Sequence, residues 1–153
     1  MKRDSKLSGV LHVLLHMAES DTPTTSEALA VAMNTNPVVV RRVMAGLRQA
    51  GFVSSAKGHG GGWVISCPLS EVTLADIHAA LGAPSLLALG NRTESPGCIV
   101  EQAVNAALDD ACQAAEAVLL ARLGQVTLAA LSKDFHRRML AGHFSAKDIS
   151  HAS

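Results

Sequence analysis

Apolar residues recur along most of this chain with the three-to-four-residue period of helices. In residues 6–19, KLSGVLHVLLHMAE, Leu7, Val10, Leu11, Leu14 and Ala18 fall on one face, and Ser5, Gly9, His12, His16 and Glu19 on the other. Asp21-Thr22-Pro23 interrupts the pattern. Thr24, with Glu27 three residues on, predicts a capping box and a short helix carrying Leu29, Ala30 and Met33. Asn34-Thr35-Asn36 then makes a turn. Asn36 is expected to cap a third helix that has Pro37 in its first turn and Gly51 past its end. On that helix Val40, Val43, Met44 and Leu47 point inward, which leaves Val38, Val39, Arg41, Arg42 and Arg48 more exposed.

After Gly51 the period changes. Residues 52–56 and 63–66 read as two strands around the glycine-rich tip KGHGGG, so a hairpin follows the third helix directly. Thr73 with Asp76 caps another short helix, whose Leu74, Ile77 and Leu81 pack back on the preceding elements. Residues 83–97 end as a loop. Residues 98–123 then run as one helix free of internal proline and glycine, with an apolar line through Val100, Ala103, Ala107, Ala111, Ala114 and Val118. A helix of that length extends beyond a small domain, and its alanines allow close approach. Pairing with a second copy is the favoured reading, and burial within the chain is the alternative. A closing helix runs from Thr127 to about Leu140, and residues 141–153 are expected to be a flexible tail.

The predicted fold is mainly α: a winged helix-turn-helix domain (1–82) with a small β-hairpin wing, a loop (83–97), and a long dimerisation helix with a closing helix (98–140). Composition agrees. Apolar residues make up 48% and charged residues 17%, as in a folded domain, and aromatics at 3% with no tyrosine favour packed helices over a β-sandwich. No apolar run approaches a membrane span, and the N-terminus lacks a signal-peptide core, so no membrane partner is expected. Cys67, Cys98 and Cys112 are odd in number and lack CxxC spacing, which fits a reduced cytoplasmic setting.

Charge changes the picture more. Residues 28–70 hold no acid but carry Arg41, Arg42, Arg48 and Lys57, whereas residues 71–136 hold eight acids against three bases. A helix fits the DNA major groove, its early residues reach base edges, arginines bond guanine or phosphate, and exposed valines suit a thymine methyl. An αα-hairpin with a solvated basic face is the alternative. His12 and His16, four apart, could hold a metal, but a solvated polar face is the simpler reading. An enzyme is not expected, because the glycine loop lacks the phosphate-loop pattern and no G-x-S-x-G elbow is present.

The stretches NTNPVVVRRVMAGLRQAGFV, SSAKGHGGGWVIS and VTLADIHAALG, with the helix from Cys98, resemble the Rrf-two family of winged-helix transcription regulators over residues 1–135. That family includes the iron–sulfur cluster regulator and the nitric-oxide-sensitive repressor. The resemblance implies a homodimer, and a repressor role, on a pseudo-palindromic double-stranded DNA operator. Recognition helices would enter major grooves and wings would reach minor grooves. By position it assigns Thr35, Asn36, Pro37, Val38, Val39, Arg41 and Arg42 to the major groove. Lys57, His59 and the backbone of Gly60, Gly61 and Gly62 fall to the wing contact, and Lys2, Arg3 and Lys6 to phosphates. Cluster-binding members carry three cysteines in the loop before the dimer helix, whereas this chain has only Cys98 there. No iron–sulfur cluster or other cofactor is therefore expected, which places the chain with the cluster-free branch.

Cys98 follows Pro96-Gly97 at a helix start, where the helix dipole favours a thiolate, so a redox or electrophile sensor stands beside the plainer reading of a loop cysteine. Cys112 is expected as a small apolar group on the dimer face. A protein-interaction winged domain without DNA specificity, and a small-ligand-responsive regulator without cysteine chemistry, are the alternatives in function.

Overall fold

The computed structural model describes residues 2–3, 6–89 and 94–141, with Lys2, Arg3 and Ala88 described through their backbone alone. The expected tail beyond residue 141 and residues 90–93 of the loop lie outside the described residues. So do the side chains of Lys2 and Arg3, and with them their assigned phosphate contacts.

The chain order is β1 (Lys2–Arg3), α1 (Lys6–Ala18), α2 (Ser26–Ala32), α3 (Pro37–Gln49), β2 (Val53–Ala56), β3 (Gly62–Ile65), α4 (Leu74–Ala80), β4 (Leu87–Ala88), α5 (Ile99–Leu123) and α6 (Leu128–Leu140). One core joins α1, α2, α3, the wing strands, α4 and the start of α6. Its fully buried members include Val10, Leu14, Val40, Met44, Leu47 and Ile77.

On α1 the buried set is Leu7, Val10, Val13, Leu14 and Met17, while Leu11 and Ala18 are half-buried. This corrects the expected stripe. The helix packs against β3, α4, α2 and α6 together, so the buried face is wider than one line of residues and is turned toward Val13 and Met17.

The start of α2 also differs from expectation. Thr25, not Thr24, is the N-cap, its hydroxyl accepting from the Ala28 N–H at 3.2 Å. Thr24 is taken up in a backbone bridge with Trp63, and the Glu27 carboxylate bonds Arg41 instead of closing a capping box.

The turn between α2 and α3 ends on Asn34 at φ +52, a left-handed conformation that asparagine tolerates better than most residues. The Asn34 N–H reaches the Val31 carbonyl and the Thr35 N–H reaches the Ala30 carbonyl, which closes the orphaned end of α2. Asn36 then caps α3, its side chain accepting from Val38 and Val39 at 3.0 and 3.1 Å. The same closure recurs after α3. Gly51 at φ +85 and Phe52 donate to Arg48 and Leu47.

Thr73 and Asp76 form the expected capping box on α4. Leu74 N–H to Val126 O and Leu128 N–H to Val72 O stitch the starts of α4 and α6 together, both at 2.9 Å. His78 is buried there, which the apolar pattern alone did not pick out, with its Nε2 2.7 Å from the Pro84 carbonyl. Strand β4 pairs antiparallel with β1, a two-residue ladder too short to read from sequence.

Candidate nucleic-acid interface

The capped start of α3 presents its side chains outward because its inward positions, Val40, Val43, Met44 and Leu47, are all committed to the core. Thr35, Asn36, Val38, Arg41 and Arg42 are exposed, Val38 at 60%. Pro37 is half-buried. Val39 packs partly against the core, so it is less available than Val38. Sixty per cent exposure of a valine has no folding advantage, and it gives this surface an apolar contact beside two cations.

The two arginines are not equivalent. Arg41 donates to the Glu27 carboxylate at 3.2 Å, whereas Arg42 makes no hydrogen bond or ion pair among the described residues. Arg48 lies over the Trp63 ring, 5.9 Å from its centroid, and so belongs to the junction of α3 with the wing.

Strands β2 and β3 pair from Val53↔Ile65 to Ala56↔Gly62, and Thr24 extends this hairpin by bridging Trp63 on its other side. Thr24 and Trp63 exchange two backbone hydrogen bonds, at 3.0 and 2.8 Å. The Trp63 indole N–H also donates to the Ser26 hydroxyl at 3.0 Å. The wing is thereby anchored to the segment that opens α2.

The glycines serve two different ends. At the tip, Gly58 and Gly60 have φ of +94 and +75, and they leave Lys57 and His59 exposed. Further in, a Cβ on Gly61 would lie 2.4 Å from the Ala56 carbonyl oxygen, and one on Gly62 would lie 2.6 Å from that of Thr24. At this inner pair any side chain would collide with backbone. Lys6, at the start of α1, is exposed.

The structure brings together the α3 start, with Arg41 and Arg42, and a wing rooted on α2. Glu27, Ser26 and Thr24 are the members that sequence reasoning missed. The signal was present for one of them: a buried tryptophan normally finds a partner for its N–H.

Helix α5 lies apart from this surface in its chemistry. Only its end packs on the core, through Leu119, Leu120 and Leu123. Val100, Ala103, Ala107, Ala111, Ala114 and Val118 are all exposed, Val100 at 72% and Val118 at 67%. Cys112 is half-buried, in the line of Leu108, Glu116 and Leu119 rather than on that exposed one. Glu116 accepts from the Leu86 N–H at 2.9 Å and so ties α5 to the strap that leads from α4.

Cys98 is the N-cap residue of α5, exposed, with no side-chain capping bond. Cys67 is half-buried against the core, and burial pushes its thiol up from the usual range. His12 and His16 stack edge to face with centroids 4.6 Å apart, and no third donor joins them among the described residues.

Over residues 3–134 the chain matches the family model Rrf2, described as an iron-dependent transcriptional regulator. It is 28% identical over 125 residues to the HTH-type transcriptional regulator YwnA of Bacillus subtilis (strain 168), covering 82% of this chain and 92% of that protein. In fold it is similar to IscR of T. potens, with a TM-score of 0.60, 20% identity and 88% of each chain covered. It is also similar to CymR of B. subtilis, with a TM-score of 0.53 and 22% identity over 87% of this chain and 98% of that one. The iron in that family description raises the question of a cluster. The thiols do not fit one: Cys98 and Cys112 are separated by about 21 Å of helix rise, and Cys67 packs against the core.

Proposed function

The chain belongs to the Rrf2 (Rrf-two) family of transcriptional regulators, and on that footing we propose that it is a homodimeric repressor that reads a pseudo-palindromic operator in double-stranded DNA. It is a regulator and not an enzyme. The carrying observation is the outward start of α3, where Val38, Arg41 and Arg42 lie exposed within a stretch that contains no acid from residue 28 to residue 70. In this reading residues 1–82 bind DNA. Thr35, Asn36, Pro37, Val38, Val39, Arg41 and Arg42 meet the major groove, and Lys57, His59, Gly60 and Gly61 meet the backbone at the minor groove. Lys6 adds a phosphate contact.

The homodimer is supported by the exposed apolar line of α5. An apolar face over that length, left to water, favours a second copy related by a twofold axis. That arrangement gives the two recognition helices the symmetry a palindrome needs. No helix among the described residues is long and apolar enough to cross a membrane, which is consistent with work on DNA in the cytoplasm.

Cys98 is the proposed sensor, supported by its exposure at the N-cap of α5. Its thiol would take one oxygen atom from hydrogen peroxide to become a sulfenic acid, and water would leave.

Fluorescence anisotropy with a duplex from the gene's own promoter, beside a scrambled duplex, tests the DNA reading at two salt concentrations. Specific binding that weakens steeply with salt is expected. Equal affinity for both duplexes overturns specificity, and no binding at low salt overturns the DNA reading itself.

A further inference from the structure

We propose that Glu27 is a specificity-determining residue: an internal counter-ion that holds the Arg41 guanidinium on the protein and thereby keeps binding to non-cognate DNA weak. The inference rests on the DNA reading above. Its starting point is the inequality of two adjacent arginines on the exposed side of α3. The Arg41 Nη2 donates to the Glu27 Oε1 at 3.2 Å, with the side chains 56% and 66% exposed, while Arg42 is unpaired among the described residues. Glu27 stands at the border of the acid-free stretch, since no acid follows it until Glu71. The fold nevertheless brings this carboxylate back onto the basic surface, because α2 and α3 pack side by side across the Asn34 turn.

The position of the pair makes it more than a solvated contact. In a helix-turn-helix the first helix crosses the DNA backbone while the second enters the groove. Glu27 lies in the first turn of α2, so its charge faces the region where phosphates run. An ion pair carries no net charge, so a paired Arg41 displaces few counterions from DNA. A free Arg41 would add about 0.9 to the salt dependence for each phosphate it neutralises. To reach a phosphate, Arg41 must also leave Glu27 unpaired beside a polyanion, which compounds the restraint.

The restraint weighs unequally on different DNA. A non-specific complex is held by phosphate contacts alone and samples many registers, in which a released arginine can follow the nearest phosphate. An operator complex is held in one register by base contacts from residues such as Val38 and Arg42. It depends less on what Arg41 finds. The pair therefore widens the gap between the two.

Glu27→Gln is nearly isosteric and keeps a helix-compatible side chain in an exposed first turn. Full-length protein is titrated against the promoter duplex and the scrambled duplex between about 50 and 200 mM salt. The expected result is a rise in affinity for scrambled DNA of roughly threefold to tenfold at the low-salt end, with the slope steeper by about 0.9 per protomer engaged. Promoter affinity rises by a smaller factor than scrambled-duplex affinity, so the specificity ratio falls. Adding Arg41→Gln to the Glu27→Gln protein should remove the gain. Three results overturn the inference: an unchanged scrambled-duplex affinity, an equal rise on both duplexes, or a gain that survives Arg41→Gln. In each of those cases the parent still prefers its promoter, so the DNA reading stands. Failure of the parent to bind either duplex overturns that reading instead.

Discussion

The indole N–H of Trp63 donates to the Ser26 hydroxyl at 3.0 Å, joining the inner strand of the wing to the first residue of α2 across 37 positions of sequence. Together with the Thr24–Trp63 backbone bridge, it makes the wing and the first helix of the helix-turn-helix one unit. Trp63→Phe removes the donor together with part of the ring, and should destabilise the protein by about 1 kcal/mol beyond its lost area. Thermal unfolding should fall by at least about 2–4 °C, and an unchanged midpoint would show that the hydrogen bond contributes nothing.

Gly62→Ala tests the same junction through sterics. Its Cβ would sit 2.6 Å from the Thr24 carbonyl oxygen, and backbone on both sides leaves no flexible group to yield. The wing should shift off Thr24, with a loss of DNA affinity on promoter and scrambled duplex alike. Affinity equal to that of the parent would remove the wing from the binding surface.

Arg42→Ala should cost about 1–3 kcal/mol on the promoter and relax sequence preference, if this exposed arginine reads a base. Lys57→Ala should instead weaken binding to every duplex and reduce the salt slope by about 0.9 per protomer. Anisotropy titrations on a panel of single-base operator variants separate the two. Identical profiles for both variants would contradict the split between groove and backbone contacts.

Ala107→Glu places a charge in the middle of the exposed α5 line, between Ala103 and Ala111. Light scattering after gel filtration should show a monomer, with far-ultraviolet helicity kept because the position has no buried neighbour of its own to disturb. A persistent dimer would place the interface elsewhere.

The thiols should differ in reactivity. Burial raises the Cys67 thiol above its ordinary range, so Cys67 stays protonated to higher pH and its alkylation at neutral pH should lag behind that of the exposed Cys98. Mass spectrometry of iodoacetamide time courses reads the order, and Cys67 should catch up as pH rises. If peroxide changes DNA affinity through Cys98, the Cys98→Ser protein should be insensitive to it.

Much of the fold was legible in the sequence because its signals are local. Asn36 before Pro37, Gly51 after α3, and Thr73 with Asp76 each satisfy orphaned helix-end groups within a few residues, so cap and helix can be read together. The inward positions of α3 and the outward line of α5 follow from helical period alone. What a side chain meets at long range was not legible. Thr24 reads as a cap because a glutamate follows it, yet the strand at Trp63, far along the chain, competes for its backbone and wins two hydrogen bonds. The buried stripe of α1 depended on four partners whose placement no single helix encodes. Sequence by itself determined the helices, their ends other than the start of α2, the glycine-rich hairpin and the asymmetry of charge, since these are set by dihedral preference, capping and composition. Tertiary structure alone decided that Glu27 neutralises Arg41 while Arg42 has no partner among the described residues, and that the wing hangs on Ser26. Such contacts arise only when packed elements bring distant residues within hydrogen-bond reach.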